Sequence, residues 1–353
     1  MREVNLIMFS KSLSPKLFIL LVCLFVSAAL AEDAIPVTHW EFQAVNQDGS
    51  SAFANDANSP FQVVLEGILL NNPEDWLSPE PDSTPGPWQM GGEWEMFIQG
   101  EGEDMAGTAC WMGQNYGNGP GEDNYTQQQW LDEISRLNRD PQSGWVFHAG
   151  DRVRVTGTYL FYAGKLNINE NHRTEPLFDF KVELVKPAVG LPRPESVTIS
   201  ELKNPDNSEK FDSTRMTGCE RYQCRLVRLE GVTIDDPENW GNDSTITVSD
   251  DSGLSFPVHL ALGSGISRQE CPSGTIDVVG VLNQKGPGYP PDPTKGYYII
   301  VMDYDGNGKV LGAARNPRGN LSGDINSDYV VDLQDVAEIA AGWLETRSGL
   351  YQE

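Results

Sequence analysis

The chain has 353 residues and carries 25 Lys plus Arg against 51 Asp plus Glu, a formal charge of −26, with 39% hydrophobic residues and nine Trp. Such a length accommodates about two domains, and the apolar and Trp content is too high for a chain disordered throughout. The acidity argues against a nucleic acid or an anionic membrane surface as partner, because both are bound mainly through Lys and Arg.

At the N-terminus Arg2, Lys11 and Lys16 precede an apolar run, Leu17 to Leu30, that exits through Ser27-Ala28-Ala29-Leu30-Ala31 into Glu32-Asp33. A basic region, a short apolar stretch and a small-residue exit predict a secretory signal peptide over 1–31. The run of 14 residues is short for a bilayer span, which needs about 20. An uncleaved anchor is the competing reading, and the Ala-Leu-Ala exit favours cleavage. Cys23 follows Val22 with no small residue before it, so a lipidated N-terminus is not expected. The expected location is secreted, cell-surface or periplasmic, with no membrane span after cleavage. Removal of 1–31 takes away three basic residues and one acidic one, which leaves a net charge of −28 and Cys110, Cys219, Cys224 and Cys271. Four cysteines allow three pairings. Three of them fall within 219–271, so a bridge is expected there. Zinc is the weaker alternative, since Cys219 and Cys224 have no matching second pair.

The body of the chain repeats itself. VVLEGILLNNPEDW at 63–76 and VRLEGVTIDDPENW at 227–240 share seven of fourteen positions without a gap, among them Val63/Val227, Glu66/Glu230, Gly67/Gly231 and Trp76/Trp240. A second echo pairs GDRVRVTGTY at 150–159 with SGTIDVVGVL at 273–282, each ending a β-branched run at a glycine, Gly157 or Gly280. Two echoes in the same order imply a tandem duplication. Period-two alternation over Arg152–Thr156, Phe178–Val185, Thr245–Ser249 and Thr275–Val279 predicts strands, and in-strand glycines predict bulges or sharp bends. Each half ends in a Gly-containing turn (Ala163-Gly164-Lys165, or Gly286-Pro287-Gly288) and a last strand near Leu166–Asn169 or Tyr297–Met302.

The halves differ in their insertions, 90 residues from Gly67 to Gly157 against 49 from Gly231 to Gly280. In the longer one, Thr126-Gln127-Gln128-Gln129 reads as a capping box, and Trp130, Ile134 and Leu137 form one apolar stripe. This helix is expected to plug the open end of a barrel. Lys186 to Pro194, with three prolines, is a semi-rigid linker. The predicted fold class is mainly β: two tandem five-stranded barrels and a short C-terminal loop–helix segment. Short strands with one helix at most per half resemble the OB-fold, a five-stranded barrel with a helix between its third and fourth strands. Gly150-Asp151-x-Val153-x-Val155-x-Gly157 resembles the fourth-strand signature of exported bacterial members. The resemblance covers 37–187, with a long insertion, and 195–303. It implies a face for oligonucleotide, oligosaccharide or protein, and the net charge weighs against the first.

A segment at 304–322 is expected to link to the sharpest chemistry, GDINSDYVVDLQDVAEIAAGWLE at 323–345. With Asp324 at position 1, oxygen ligands follow at 3 (Asn326), 5 (Asp328), 7 (the Val330 carbonyl), 9 (Asp332) and 12 (Asp335), a spacing that wraps one calcium ion. Val336, Ile339, Ala340, Trp343 and Leu344 then form an amphipathic stripe. An acidic helix cap without metal is the competing reading. Asp at position 12, Tyr329 where glycine is usual, and a single following helix resemble the type I dockerin repeat. That resemblance implies a cohesin-type protein partner, although a dockerin carries two such repeats and a clear second one is missing. Asp303-Tyr304-Asp305-Gly306-Asn307-Gly308 fits positions 1, 3, 5 and 6 of a calcium loop, but position 12 is Ala314, and a turn is the better reading.

No G-x-S-x-G, H-E-x-x-H, Walker loop or G-x-G-x-x-G occurs. His39, His148, His172 and His259 have no ligand spacing, and His172 sits on a polar turn. With so many carboxylates any acid pair can be proposed, so a catalytic site is unsupported and none is assigned. Trp88, Trp94, Trp111, Tyr116 and Tyr125 cluster among Gly, Asn and Gln, which suits a carbohydrate ligand, although strand-borne Trp94 is expected in the core. The expected function is an exported, non-catalytic binding or scaffold protein. The alternative is a carbohydrate-active enzyme or its accessory subunit, marked by carboxylates converging in a cleft between the barrels.

Overall fold

The computed structural model describes residues 34–54, 58–72, 81, 91–104, 106–115, 124–170, 180–262, 266–304, 310–311 and 336. In chain order the strands of the first half are β1 (Ile35–Pro36), β2 (Asn58–Leu69), β3 (Glu93–Gln99), β4 (Gly107–Gly113), β5 (Arg152–Tyr162), β6 (Lys165–Asn169) and β7 (Lys181–Lys186). Those of the second are β8 (Glu195–Ser196), β9 (Leu226–Ile234), β10 (Ser244–Ser249), β11 (Ser255–Leu260), β12 (Thr275–Gln284), β13 (Tyr297–Val301) and β14 (Val310–Leu311). The helices are α1 (His39–Phe42), α2 (Gln127–Leu137) and α3 (Ile199–Leu202).

Both halves close in the same way. The first runs β2-β3-β4-β6-β5, and β5 returns to pair with β2; the second runs β9-β10-β11-β13-β12, and β12 returns to β9. Each has one parallel contact in the ring, β4 with β6 and β11 with β13. These are the two tandem five-stranded OB-like barrels expected from the duplicated strands. The repeated glycines sit where neighbouring chain leaves no room for a side chain. A Cβ on Gly157 would lie 2.7 Å from Ile168 Cγ2 and from Phe180, and one on Gly280 would lie 2.3 Å from the Ile300 carbonyl oxygen. The register break of the second barrel falls instead between Ile276 and Val278, so Gly280 serves close approach and the bulge is separate.

Each barrel has its own core. Val63, Leu65, Trp94, Met96, Ile98, Cys110, Met112, Val153, Val155, Leu166 and Ile168 fill the first. Helix α2 plugs it as its sequence predicts: the Thr126 capping box forms with Gln129, and Trp130 and Leu137 are buried in the same cluster with Ile134 packed at its margin. Trp94 Nε1 donates to Asn138 Oδ1 at the end of α2 (2.9 Å), which ties the helix to β3. The second barrel closes the same end with a single 3-10 turn, Ile266–Arg268, whose Ile266 is buried among Val258, Leu260 and Ile276.

The Gly150-Asp151 pair has a structural task. Buried Asp151 accepts from Trp145 Nε1 (2.8 Å), His148 N (2.9 Å) and Ala188 N (2.7 Å), and Gly150 N donates to Leu69 O (2.7 Å). One carboxylate therefore anchors both the loop after α2 and the start of the linker. The linker is further tacked down by Gly190 N to Gly150 O (3.1 Å).

The duplication reaches further back than the two echoes. Before each barrel a short strand pairs in parallel with the first barrel strand, Ile35 with Val63 and Glu195 with Val227. A capped helical turn follows: Glu41 Oε2 accepts from Thr38 N and Oγ1 (3.1 and 2.9 Å), and Glu201 Oε2 accepts from Thr198 N and Oγ1 (2.8 and 2.9 Å). Then Asp48 caps Ser50 as Asp206 caps Ser208, and Asn46 reaches Ser50 Oγ as Asn204 reaches Ser208 Oγ. The first copy carries Gln43-Ala44 in addition, and Gln43 pairs with the backbone of Leu166.

The expected disulfide within 219–271 is not formed. The four described cysteines are free thiols: Cys219 faces the second core and donates to Leu202 O (3.3 Å), Cys224 lies between the barrels, and Cys271 is half-buried at the surface. Closeness in sequence here spans three separate environments. Beyond β13, Tyr304 packs edge-on to Trp240 (5.5 Å between centroids), and β14 pairs in parallel with β12 and not with β13. Among the described residues no helix is long and apolar enough to cross a membrane.

The plug makes one stability prediction. Trp130→Ala should cost about 3–5 kcal/mol, whereas Leu131→Ala on the exposed face of α2 should stay within about 0.5 kcal/mol. Urea unfolding of the two variants measures this.

Candidate functional site

The alternation of β3 divides its side chains. Trp94, Met96 and Ile98 enter the core, so Glu93, Glu95, Phe97 and Gln99 share the outer face. Register extends that face across the barrel. Glu95 stands opposite Trp111, Trp111 beside Asn169, and Asn169 opposite Thr158; in the next row Phe97, Ala109, Asn167 and Leu160 follow.

Half of this face is covered by the second barrel. Leu70, Phe97 and Ala109 form one apolar cluster with Cys224, Leu226, Ala261, Val279, Val281, Ile300 and Met302. A Cβ on Gly107 would fall 1.9 Å from the Cys224 carbonyl oxygen, so the two backbones touch and only glycine fits. Polar contacts frame the cluster: Leu226 N to Gln99 Oε1 (2.9 Å), Lys165 Nζ to Gln284 O (3.0 Å) and Gly286 N to Ala163 O (2.8 Å). To one side, Arg215 stacks 4.1 Å over Trp40 and donates to its carbonyl (2.8 Å).

The other half of the face forms a polar seam with the second barrel. On the first barrel Glu93, Glu95, Trp111 and Asn169 lie on this face. Glu93 feels the charges of Asp243 and Lys285 of the second barrel, Glu95 feels that of Lys285, and Glu95 acts on Tyr298. His259 and Tyr298 meet edge to face (6.0 Å between centroids), Asn283 Nδ2 donates to the Tyr298 hydroxyl (3.1 Å), and Thr245 Oγ1 lies 3.0 Å from His259 Nδ1. Asp243 Oδ1 stands 3.5 Å from His259 Nε2.

Perturbed acids and bases concentrate here. Burial raises the Glu95 carboxyl to about 7, against the pull of the Lys165 ammonium, with Glu93 adding to the rise. Glu93 is also raised by burial, and Lys285 and a hydrogen bond from Trp111 moderate it. Burial lowers His259, and Asp243 opposes that. Tyr298 is pushed upward by burial and then by Glu95. Such a concentration marks a functional-site candidate, although buried structural pairs also produce it. What the seam can do chemically follows from its parts: the Trp111, His259 and Tyr298 rings, amide side chains and the three carboxyls of Glu93, Glu95 and Asp243 suit a neutral polyhydroxy ligand.

The sequence-derived candidates fare unevenly. Asp324, Asn326, Asp328, Val330, Asp332 and Asp335 lie outside the described residues, as do Trp88, Tyr116 and His172; exposed Val336 is the only described residue in the tail. Trp94 is fully buried core, and among the described members of the expected cluster Trp111 is the one on the outer face beside Glu95. Tyr125 packs beside Trp130 and donates to Glu170 (3.2 Å). His39 is buried, with its ring on Thr108 Oγ1 (2.8 Å) and Glu66 O (3.2 Å), and burial lowers it to about 4. Among the described residues no group of three His, Cys, Asp or Glu is placed to hold a metal. Glu93 and Glu95 were hidden among many acids, and only their period-two spacing on a strand beside Trp94 could have singled them out. No protein-family model matches the chain, and no curated protein matches it.

The buried carboxyl makes a pH prediction. A Glu whose folded value is raised from 4.5 to about 7 contributes stability that is complete below 4.5 and is lost as pH rises through 7. Glu95→Gln should therefore stabilise the protein at pH 8, by up to about 3 kcal/mol, and give no gain at pH 4. Urea unfolding across that pH range decides; an equal effect at both ends would mean that the carboxyl ionises normally.

Proposed function

We propose that this chain is an exported, non-catalytic carbohydrate-binding protein that a calcium-binding tail attaches to a protein partner or to the cell surface. The observation that carries the binding half is the row Glu95–Trp111–Asn169 on the outer sheet face, whose Glu95 lies close enough to Tyr298 of the second barrel to shift it. Aromatic faces stack on the apolar faces of sugar rings, while amides and carboxyls meet their hydroxyls. The net charge of −26 supports a neutral ligand over a nucleic acid. The attachment half rests on the ligand spacing from Asp324 to Asp335 and its dockerin resemblance, with a cohesin-type domain as the corresponding partner.

Calcium titration tests the tail. The chain lacking 1–31 should bind about one Ca²⁺, and Asp324→Ala with Asp335→Ala should abolish that site. No heat from either protein removes the docking proposal. For the seam, Trp111→Ala should weaken retention on immobilised plant and bacterial polysaccharides at least about tenfold, a loss of 1.4 kcal/mol. Unchanged retention would move the binding site elsewhere.

One observation favours a second reading, a glycoside-cleaving enzyme: Glu93 and Glu95 share a face, and the deeper one carries a raised carboxyl, as a general acid requires. Release of reducing ends that Glu95→Gln abolishes would establish it. Binding without release keeps the chain among non-catalytic proteins.

A further inference from the structure

We propose that the chain carries a second carbohydrate contact outside the seam: the tip of the loop between β12 and β13 presents Tyr289 as a flat stacking face for an insoluble, uncharged polysaccharide. It rests on the carbohydrate reading of the chain but not on the seam. Tyr289 is 102% exposed, and Pro287, Gly288 and Pro290 around it are exposed as well. Single exposed apolar side chains are common. What sets Tyr289 apart is the fixed backbone beneath it. Lys285 N donates to Gly296 O (2.9 Å), Asp292 N to Pro287 O (2.8 Å), and Gln284 Nε2 to Pro293 O (2.8 Å) and Lys295 O (3.1 Å). Asp292 Oδ1 accepts from Thr294 N (3.0 Å) and Oγ1 (2.7 Å). The first half of the chain braces the loop at two points: Gly286 N donates to Ala163 O (2.8 Å), and a Cβ on Gly49 would lie 2.9 Å from the Pro293 carbonyl. These contacts serve the joint between the barrels, and none of them involves the tip from Gly288 to Pro291.

The chemistry of the tip selects its occupant. On a chain of net charge −26, the stretch from Gly286 to Pro291 holds no ionisable side chain but Tyr289, and Asp292 beside it is paired with Lys295 (2.8 Å). An uncharged ligand therefore suits the tip. A stable protein interface buries about 800 Å² per partner, far more than one ring supplies. A polysaccharide surface offers the same apolar ring face over and over, so a weak stack is multiplied by effective concentration. Pro287, Pro290 and Pro291 restrict the backbone on both sides of Tyr289, so stacking orders little that is not already ordered. A second ring lies within reach of a polymer. Tyr162 is 51% exposed and precedes Ala163, so the path through the Gly286–Ala163 bond puts it at most about 22 Å from Tyr289.

The test is adsorption of the chain lacking 1–31 to particles of microcrystalline cellulose, chitin and insoluble mannan, read as a partition coefficient. The unaltered chain is expected to adsorb to at least one of them. On that solid Tyr289→Ala should lower the coefficient at least about fivefold, and Tyr289→Trp should keep it, because the ring face and not the hydroxyl makes the contact. Tyr162→Ala should give a smaller loss, about twofold. A fully exposed side chain can be removed without loss of packing, so Tyr289→Ala should melt within about 1 °C of the unaltered chain. Unchanged adsorption of Tyr289→Ala overturns the proposal, and the carbohydrate reading still stands if Trp111→Ala weakens adsorption to the same solid. No adsorption of the unaltered chain to any of the three solids overturns both.

Discussion

The apolar joint between the barrels is the constraint on which the remaining architecture depends. Phe97 and Ala109 on one outer face, and Val279, Val281, Ile300 and Met302 on the other, would each expose a sizeable apolar patch if the barrels separated. All six are fully buried where they meet. The backbones approach so closely at Gly107 and Cys224 that the relative position of the barrels is set by contact as well as by burial. A linker of three prolines would suit loosely tethered domains, but here Ala188, Gly190 and Leu191 are held to Asp151, Gly150 and the joint itself.

Joining two barrels through their sheet faces brings polar groups into the interior along with the apolar ones. Glu220 is fully buried, accepts a 2.5 Å hydrogen bond from the Tyr297 hydroxyl and is raised to about 7 by burial. Arg215, whose value burial lowers to about 10, uses Nε on the Glu220 carbonyl and Nη1 on Trp40, while its Nη2 and Glu220 Oε2 remain without partners. Buried charges of this kind contribute little net stability, and their geometric demands favour one arrangement of the barrels over others. Glu95 in the seam belongs to the same class, which is why its environment joins the question of stability to that of ligand binding.

The duplication has been kept in its scaffolding and relaxed in its ends. Thr38-Glu41 and Thr198-Glu201, then Asn46-Asp48-Ser50 and Asn204-Asp206-Ser208, form matching bonds in both copies because capping and Asx turns need particular side-chain lengths at fixed offsets. By contrast, a helix of eleven residues in one barrel and a 3-10 turn of three in the other satisfy the same need, an apolar stopper over an open barrel end. The matching front segments escaped detection in the sequence because Gln43-Ala44 breaks the spacing between their two motifs.

Local pattern alone determined the strands, the glycines at points of close approach in each ring, the α2 stripe and the tandem barrels, because period and capping chemistry act over a few residues. The six candidate calcium ligands from Asp324 to Asp335 are likewise legible in spacing, and spacing is what supports them. What only the tertiary structure decided was which outer faces meet. Glu95, Asn167 and Asn283 are polar residues on alternating strands and read as solvent-facing until a second barrel is laid over them. The cysteines show the same limit: proximity in sequence pointed to a bridge, and the fold sent Cys219 and Cys224 to different cores. Burial on an outer sheet face is a property of the partner surface, and no periodicity within the strand encodes it.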